Sequence, residues 1–108
     1  MLQELRAKSR QRDREWKSSQ IPDEARLLFR MTELAGEVGE LANCIKKLER
    51  KKAGMVGSRT SIEEIEDEIA DVVISADLLA KELDIDLEEA VRRKFNKTSD
   101  KYGFNIKL

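Results

Sequence analysis

The sequence predicts an all-α bundle organised around two long central helices, with a four-helix-type core that oligomerisation completes. Two heptad stripes carry that expectation. The first is Leu27, Met31, Leu34, Val38, Leu41, Ile45 and Leu48; the second is Ile62, Ile65, Ile69, Val72, Ala76, Leu79 and Leu83. Spacings that alternate between three and four keep each stripe on one side of a helix. Composition agrees: 40% charged, 40% hydrophobic and only 5% aromatic residues suit periodic helices and not a sandwich or barrel.

Each element has its own signal. Residues 2–17 read as a first helix, rich in Arg and with Trp16 near its end. Ser18–Asp23 is a break in which Pro22 can open the next helix. Residues 23–52 then form one helical pattern, a rod of about 45 Å at 1.5 Å per residue. It ends in Lys46, Lys47, Arg50, Lys51 and Lys52, where the helix dipole favours cations. Gly54 and Gly57 make residues 53–60 a connection. Ser61 with Glu64 is a capping box that starts the third helix, and Asp86 with Glu89 starts a fourth, running from Leu87 to about Ser99. Gly103 marks its stop, and Asn105–Leu108 is a tail that Tyr102, just before it, is read as anchoring.

With 108 residues, the expected organisation is one domain over residues 1–108. A chain this short leaves part of two long apolar stripes uncovered, which predicts a homodimer or homotetramer. The single cysteine, Cys44, excludes an intrachain disulfide and suits a reducing cytoplasm. It falls beside the first stripe and is read as packing. No apolar run reaches membrane-spanning length, and the N-terminal residues lack the apolar core of a signal peptide, so no membrane partner is expected. Histidine is absent, which removes the usual zinc set and any imidazole acid or base.

The net charge of −1 hides a segregation. Residues 1–20 carry +3, residues 21–91 carry −9 and residues 92–108 carry +5. A nucleic-acid binder is usually basic overall, so nucleic acid is not an expected partner. An acidic centre with basic ends suits a cation site that also holds an anionic ligand.

The acidic centre is ordered. TELAGEVGELAN (32–43) and EEIEDEIADVVI (63–74) align without gaps, pairing Glu37 with Glu68 and Glu40 with Asp71 while their apolar residues coincide. Each helix thus carries two carboxylates three residues apart in a lane beside its seam. Packed antiparallel, the two helices would bring four carboxylates across one groove. A single ExxE is an ordinary solvated helix face; two in register are not. Six acids within Glu63–Asp71 repel unless cations compensate. An all-oxygen set selects a hard ion, Mg²⁺ with Mn²⁺ as alternative. A di-iron centre needs Glu-x-x-His ligands, and no His exists.

ELAGEVGELAN followed by EDEIADVVISADLLAKELDIDLEEAV resembles the MazG-like family of all-α nucleotide pyrophosphohydrolases, across roughly residues 24–102. The shared pattern is ExxE, a spacer and ExxD. The resemblance implies Mg²⁺-dependent cleavage of a nucleoside triphosphate between its α and β phosphates, giving a monophosphate and pyrophosphate. It also implies oligomers in which neighbouring subunits complete the bundle. The GEVGEL form is similar to dCTP pyrophosphatase-like members, which points to a deoxynucleotide. The family often shows Lys-x-x-x-Asn-x-x-Arg near its C-terminal end; here Lys94 matches, while Thr98 and Lys101 stand in the later places. Lys101 keeps the charge without bidentate geometry, a departure that bears on specificity and not on metal chemistry.

The candidate metal ligands are therefore Glu37, Glu40, Glu68 and Asp71, with Glu37 or Glu40 orienting or deprotonating the attacking water. Lys94 and Lys101 are candidates for gripping the departing pyrophosphate, Asn96 for a further polar contact and Trp16 for stacking on a base. A catalytically silent helical oligomerisation module is the alternative that the stripes serve equally well.

Overall fold

The computed structural model describes residues 1–108. It is all-helical: α1 (Leu2–Glu15), one 3-10 turn (Ser18–Gln20), α2 (Asp23–Lys52), α3 (Ile62–Glu82) and α4 (Leu87–Lys101). None of the helices is long and apolar enough to cross a membrane.

Both expected helix starts form the N-cap half of their capping boxes, while the return bond from the glutamate is absent and Glu64 accepts from the Thr60 hydroxyl instead. The Ser61 hydroxyl accepts from Glu64 N–H at 3.1 Å, and Asp86 Oδ1 accepts from Glu89 N–H at 3.1 Å. Pro22 precedes α2, whose first turn carries Asp23 and Glu24 and whose last turn carries Arg50, Lys51 and Lys52, in agreement with the helix dipole. Gly54 takes φ +74° just past its end, and Met55 N–H reaches back to Arg50 C=O, which satisfies a carbonyl the helix leaves open.

Two ends differ from expectation. The first helix stops at Glu15 because Lys17 turns left-handed, with φ 55°, and leads into the 3-10 turn. The fourth runs on to Lys101, closed by Gly103 with φ 72°. Asp84 also adopts φ 55°, so the α3 terminus uses the glycine-type cap geometry without glycine: Ile85 N–H bonds Ala80 C=O.

α2 and α3 form an antiparallel hairpin, the main packing in the molecule. Mainly one heptad position of each stripe packs inside it, with Leu27 at the open end 46% exposed and Ala76 of the other position half-buried. On α3, Ile65 is 7% exposed and Val72 and Leu79 are half-buried; on α2, Leu34, Leu41 and Leu48 are half-buried. The alternate positions Met31, Val38, Ile45, Ile62, Ile69 and Leu83 face outward, with Val38 48% and Ile69 49% exposed. The hairpin therefore has two apolar seams and covers one. α1 lies across α3, while α4 contacts mainly α1 and leaves the hairpin.

A buried ionic network locks α1 onto the hairpin. Arg30, 3% exposed, donates to both Asp13 oxygens at 3.1 Å, to Glu33 at 2.8 Å and to Glu82 at 3.3 Å. Lys81 bonds Asp13 and lies 3.3 Å from Glu82, and Arg26 donates to Glu82 at 3.2 Å. Arg6 forks onto Asp77, 1% exposed, at 2.9 to 3.2 Å, and donates to Ile85 C=O at 2.8 Å. Buried charges persist only when paired this completely.

Candidate metal centre

The hairpin brings the two acidic lanes together. Carboxylate oxygens of Glu37, Glu40 and Glu68 all lie within 4.8 Å of one another, close enough to share one cation. Asp71 stands at the edge of this group: it is not among the three converging residues, but its charge acts on Glu37 and Glu68. The helices supply this geometry directly, since Glu37 and Glu40 sit one turn apart on α2 and Glu68 faces them from α3.

The electrostatics of the group are unfavourable without a counter-charge. Burial pushes the Glu37 carboxyl above its ordinary range, and the charges of Glu40 and Asp71 push it further. Burial likewise raises Glu68, followed by the charges of Glu40 and Asp71. One oxygen on each, Oε2 of Glu37 and Oε2 of Glu68, is buried with no hydrogen-bond donor. Buried carboxylate oxygens rarely lack partners. Two such orphans, on facing helices and beside a third carboxylate, are the donor set that a hard divalent ion takes.

The Arg30 cluster responds in the opposite sense. Burial alone would raise Asp13, but the hydrogen bond from Lys81 and the charges of Arg30 and Lys81 hold it below the usual carboxylate range. Glu82 is held low in the same way by Arg26, Arg30 and Lys81, against its burial. For these two depressed groups, the stabilisation is complete above the unfolded pKa and is lost as pH falls through the folded one. For the raised Glu37 and Glu68, the metal-free fold loses stability as pH climbs from the unfolded toward the folded pKa. Metal-free protein is therefore expected to melt highest in the mildly acidic region, between those two windows. Mg²⁺ should remove the deficit at neutral pH and leave the acid limb unchanged. Thermal melts from about pH 3 to about pH 8, with and without Mg²⁺, check both limbs.

The remaining sequence candidates lie apart from the carboxylates. Trp16, 68% exposed with Arg12 over its ring at 5.1 Å, opens onto a cleft of about 420 Å³ that Phe29, Arg30 and Glu33 also line. Glu33 is one turn before Glu37, so this cleft borders the cluster. Lys94 borders a shallow apolar groove on α4 with Val91 and Phe95, and Lys101 sits 5.5 Å from the Tyr102 ring. Neither lysine makes an ion pair. Asn96 uses both ends of its amide on the tail, accepting from Leu108 N–H at 2.8 Å and donating to Leu108 C=O at 3.2 Å. Cys44 is a free, half-buried thiol. Tyr102 is exposed and stacks on Phe104 at 6.1 Å.

The fold and this site together define an all-α protein with a candidate acidic metal centre built across a helical hairpin. The chain belongs to the MazG-like family, whose model matches residues 32–107. That family is associated with nucleotide pyrophosphohydrolases and with the use of divalent metal. The chain is 36% identical over 64 residues to the Gene 37 protein of Mycobacterium phage L5, an alignment covering 59% of this chain and 55% of that protein. The chain thus spans little more than half the length of this relative. No solved structure matches it significantly.

Proposed function

We propose that the protein is a Mg²⁺-dependent nucleoside triphosphate pyrophosphohydrolase that cleaves a (deoxy)nucleoside triphosphate to its monophosphate and pyrophosphate. The observation that carries this reading is the convergence of Glu37, Glu40 and Glu68 with two orphaned buried oxygens. These residues, with Asp71 beside them, would hold the ion. When bound, it supplies charge neutralisation of the phosphates and acidification of a water.

The chain's own groups do the rest. Glu37 or Glu40 accepts the proton of the attacking water, whose oxygen bonds the α-phosphorus as pyrophosphate leaves. Trp16 and its cleft take the base, because the exposed ring offers a stacking face in a cleft that Glu33, one turn before Glu37, also lines. Lys94 and Lys101 reach the phosphates from a neighbouring subunit, not from their own. Asp71 precedes the end of α3 by eleven residues, about 16 Å of helix, and α4 then departs along α1.

The uncovered seam supports a homodimer or homotetramer. Met31, Val38, Ile45 and Ile69 form a second apolar stripe on the hairpin that carries the cluster. Gly36 and Gly39, each costing about 1 kcal/mol in a helix interior, face open space within this chain, as a surface kept for a neighbour or substrate would. Ile45→Asp is expected to lower the mass by light scattering to that of a 12.4 kDa monomer while helicity persists. An unchanged mass would rule out this seam as the interface.

The same seam fits a catalytically silent oligomerisation module. Incubation of purified protein with Mg²⁺ and each common NTP and dNTP separates the readings: the enzyme releases pyrophosphate and a monophosphate from at least one of them. Release of orthophosphate, or no turnover on any, would overturn the proposal.

A further inference from the structure

We propose a second ligand site, for a phosphate-class anion, in the crevice where α1, the 3-10 turn, α2 and α3 meet. This crevice has a volume of about 340 Å³ and no apolar side chain in its lining. Arg10, Asp13 and Arg14 line it from α1, Ser18 and Ser19 from the 3-10 turn, Arg26 from α2 and Lys81 from α3.

The charge balance identifies the ligand. In the cluster beneath, Arg26, Arg30 and Lys81 meet Asp13, Glu33 and Glu82, so three cations face three anions. Those side chains are committed and fixed: Arg26 also holds the turn through Ser18 C=O at 2.9 Å, and Lys81 is 9% exposed. Arg10 and Arg14 are surplus. No carboxylate lies within ion-pair distance of either. They stand four residues apart on one helix face, an arrangement that repels by a few tenths of a kcal/mol and gains nothing from the fold. A dianionic phosphate cancels both charges and matches the planar donor forks of two guanidinium groups, with the Ser19 hydroxyl as a further donor.

This crevice is distinct from the carboxylate cluster. Arg26 precedes Glu37 by eleven residues on α2 and Lys81 follows Asp71 by ten on α3, about 16 and about 15 Å of helix. The two sites have opposite charge. An anion needs a metal to approach the carboxylates, whereas the crevice takes it directly. This site does not depend on the proposed activity.

Trp16, the sole tryptophan, lies two residues before Ser18 and reports occupancy by its fluorescence. In EDTA, titration of the protein with inorganic phosphate is expected to give a saturable fluorescence change and a rise in melting temperature. Sodium chloride at matched ionic strength should give neither. Pyrophosphate and a nucleoside triphosphate, run as separate arms, distinguish a free phosphate site from one that takes a nucleotide's phosphates. The double variant Arg10→Gln/Arg14→Gln should bind at least about tenfold more weakly. Lys51→Gln/Lys52→Gln, with the same charge change elsewhere, and Glu40→Gln should bind as the parent does. A response no greater than that to chloride, one that survives the double variant, or one that needs Mg²⁺ and vanishes in Glu40→Gln would overturn the site.

Discussion

Glu40→Gln is expected to abolish turnover while leaving the fold in place. Glu40 is exposed and makes no ion pair, so the substitution disturbs no packing and removes only a charge. Its carboxylate nevertheless lies within 4.8 Å of both Glu37 and Glu68 and completes the set of three oxygen donors. Loss of an outer-shell partner of a metal ligand typically costs 10–100-fold, so loss of a ligand should cost at least about 100-fold in kcat/KM. In metal-free protein the same change should raise the melting temperature, because a charge that pushes up both Glu37 and Glu68 is gone. Less active yet more stable without metal is a signature that a structural glutamate would not give. Turnover within a few-fold of the parent would contradict the ligand role.

Arg30→Met is expected to be the most destabilising single change in the molecule. Its guanidinium touches carboxylates from three helices, Asp13 of α1, Glu33 of α2 and Glu82 of α3, and is 3% exposed. Removing one member of a buried ion cluster leaves carboxylates dehydrated without compensation, at a cost of about 3–5 kcal/mol. Domains of this size are stable by only about 5–15 kcal/mol. Urea unfolding should therefore show a large fall in midpoint, whereas Lys52→Met, which breaks an exposed pair with Glu49, should stay within about 0.5 kcal/mol of the parent. Arg30→Lys should recover only part of the loss, because one ammonium cannot span three carboxylates.

These two residues mark what a linear reading reaches and what it misses. Glu40 was legible because its partners announce themselves locally: a pair at i and i+3, repeated on a second helix in the same heptad register. The helix starts at Ser61 and Asp86 were legible for the same reason, since a capping box lies within four residues. Arg30 was not. Its partners Asp13 and Glu82 are 17 and 52 residues away, and nothing local distinguishes it from a solvated arginine on a charged helix. The Arg6–Asp77 pair, 71 residues apart, is hidden in the same way. The left-handed turns at Lys17 and Asp84 carry no glycine to signal them, so the end of α1 fell two residues earlier than its pattern predicted. Both heptad positions of each stripe read as core, and only the pairing of α2 with α3 shows which one this chain buries. The direction of α4 was likewise unreadable, because few contacts fix it to the hairpin.

One cation shared by acidic side chains of two helices is the premise beneath the proposed chemistry. Mn²⁺ titrated into the purified protein at neutral pH and followed by electron paramagnetic resonance addresses it without any substrate. Saturable loss of the free-ion signal in the parent, reversed by excess Mg²⁺ and strongly weakened by Glu37→Gln on α2 and by Glu68→Gln on α3 alike, is the predicted result. Free Mn²⁺ throughout, or binding that either glutamine variant leaves intact, would contradict it.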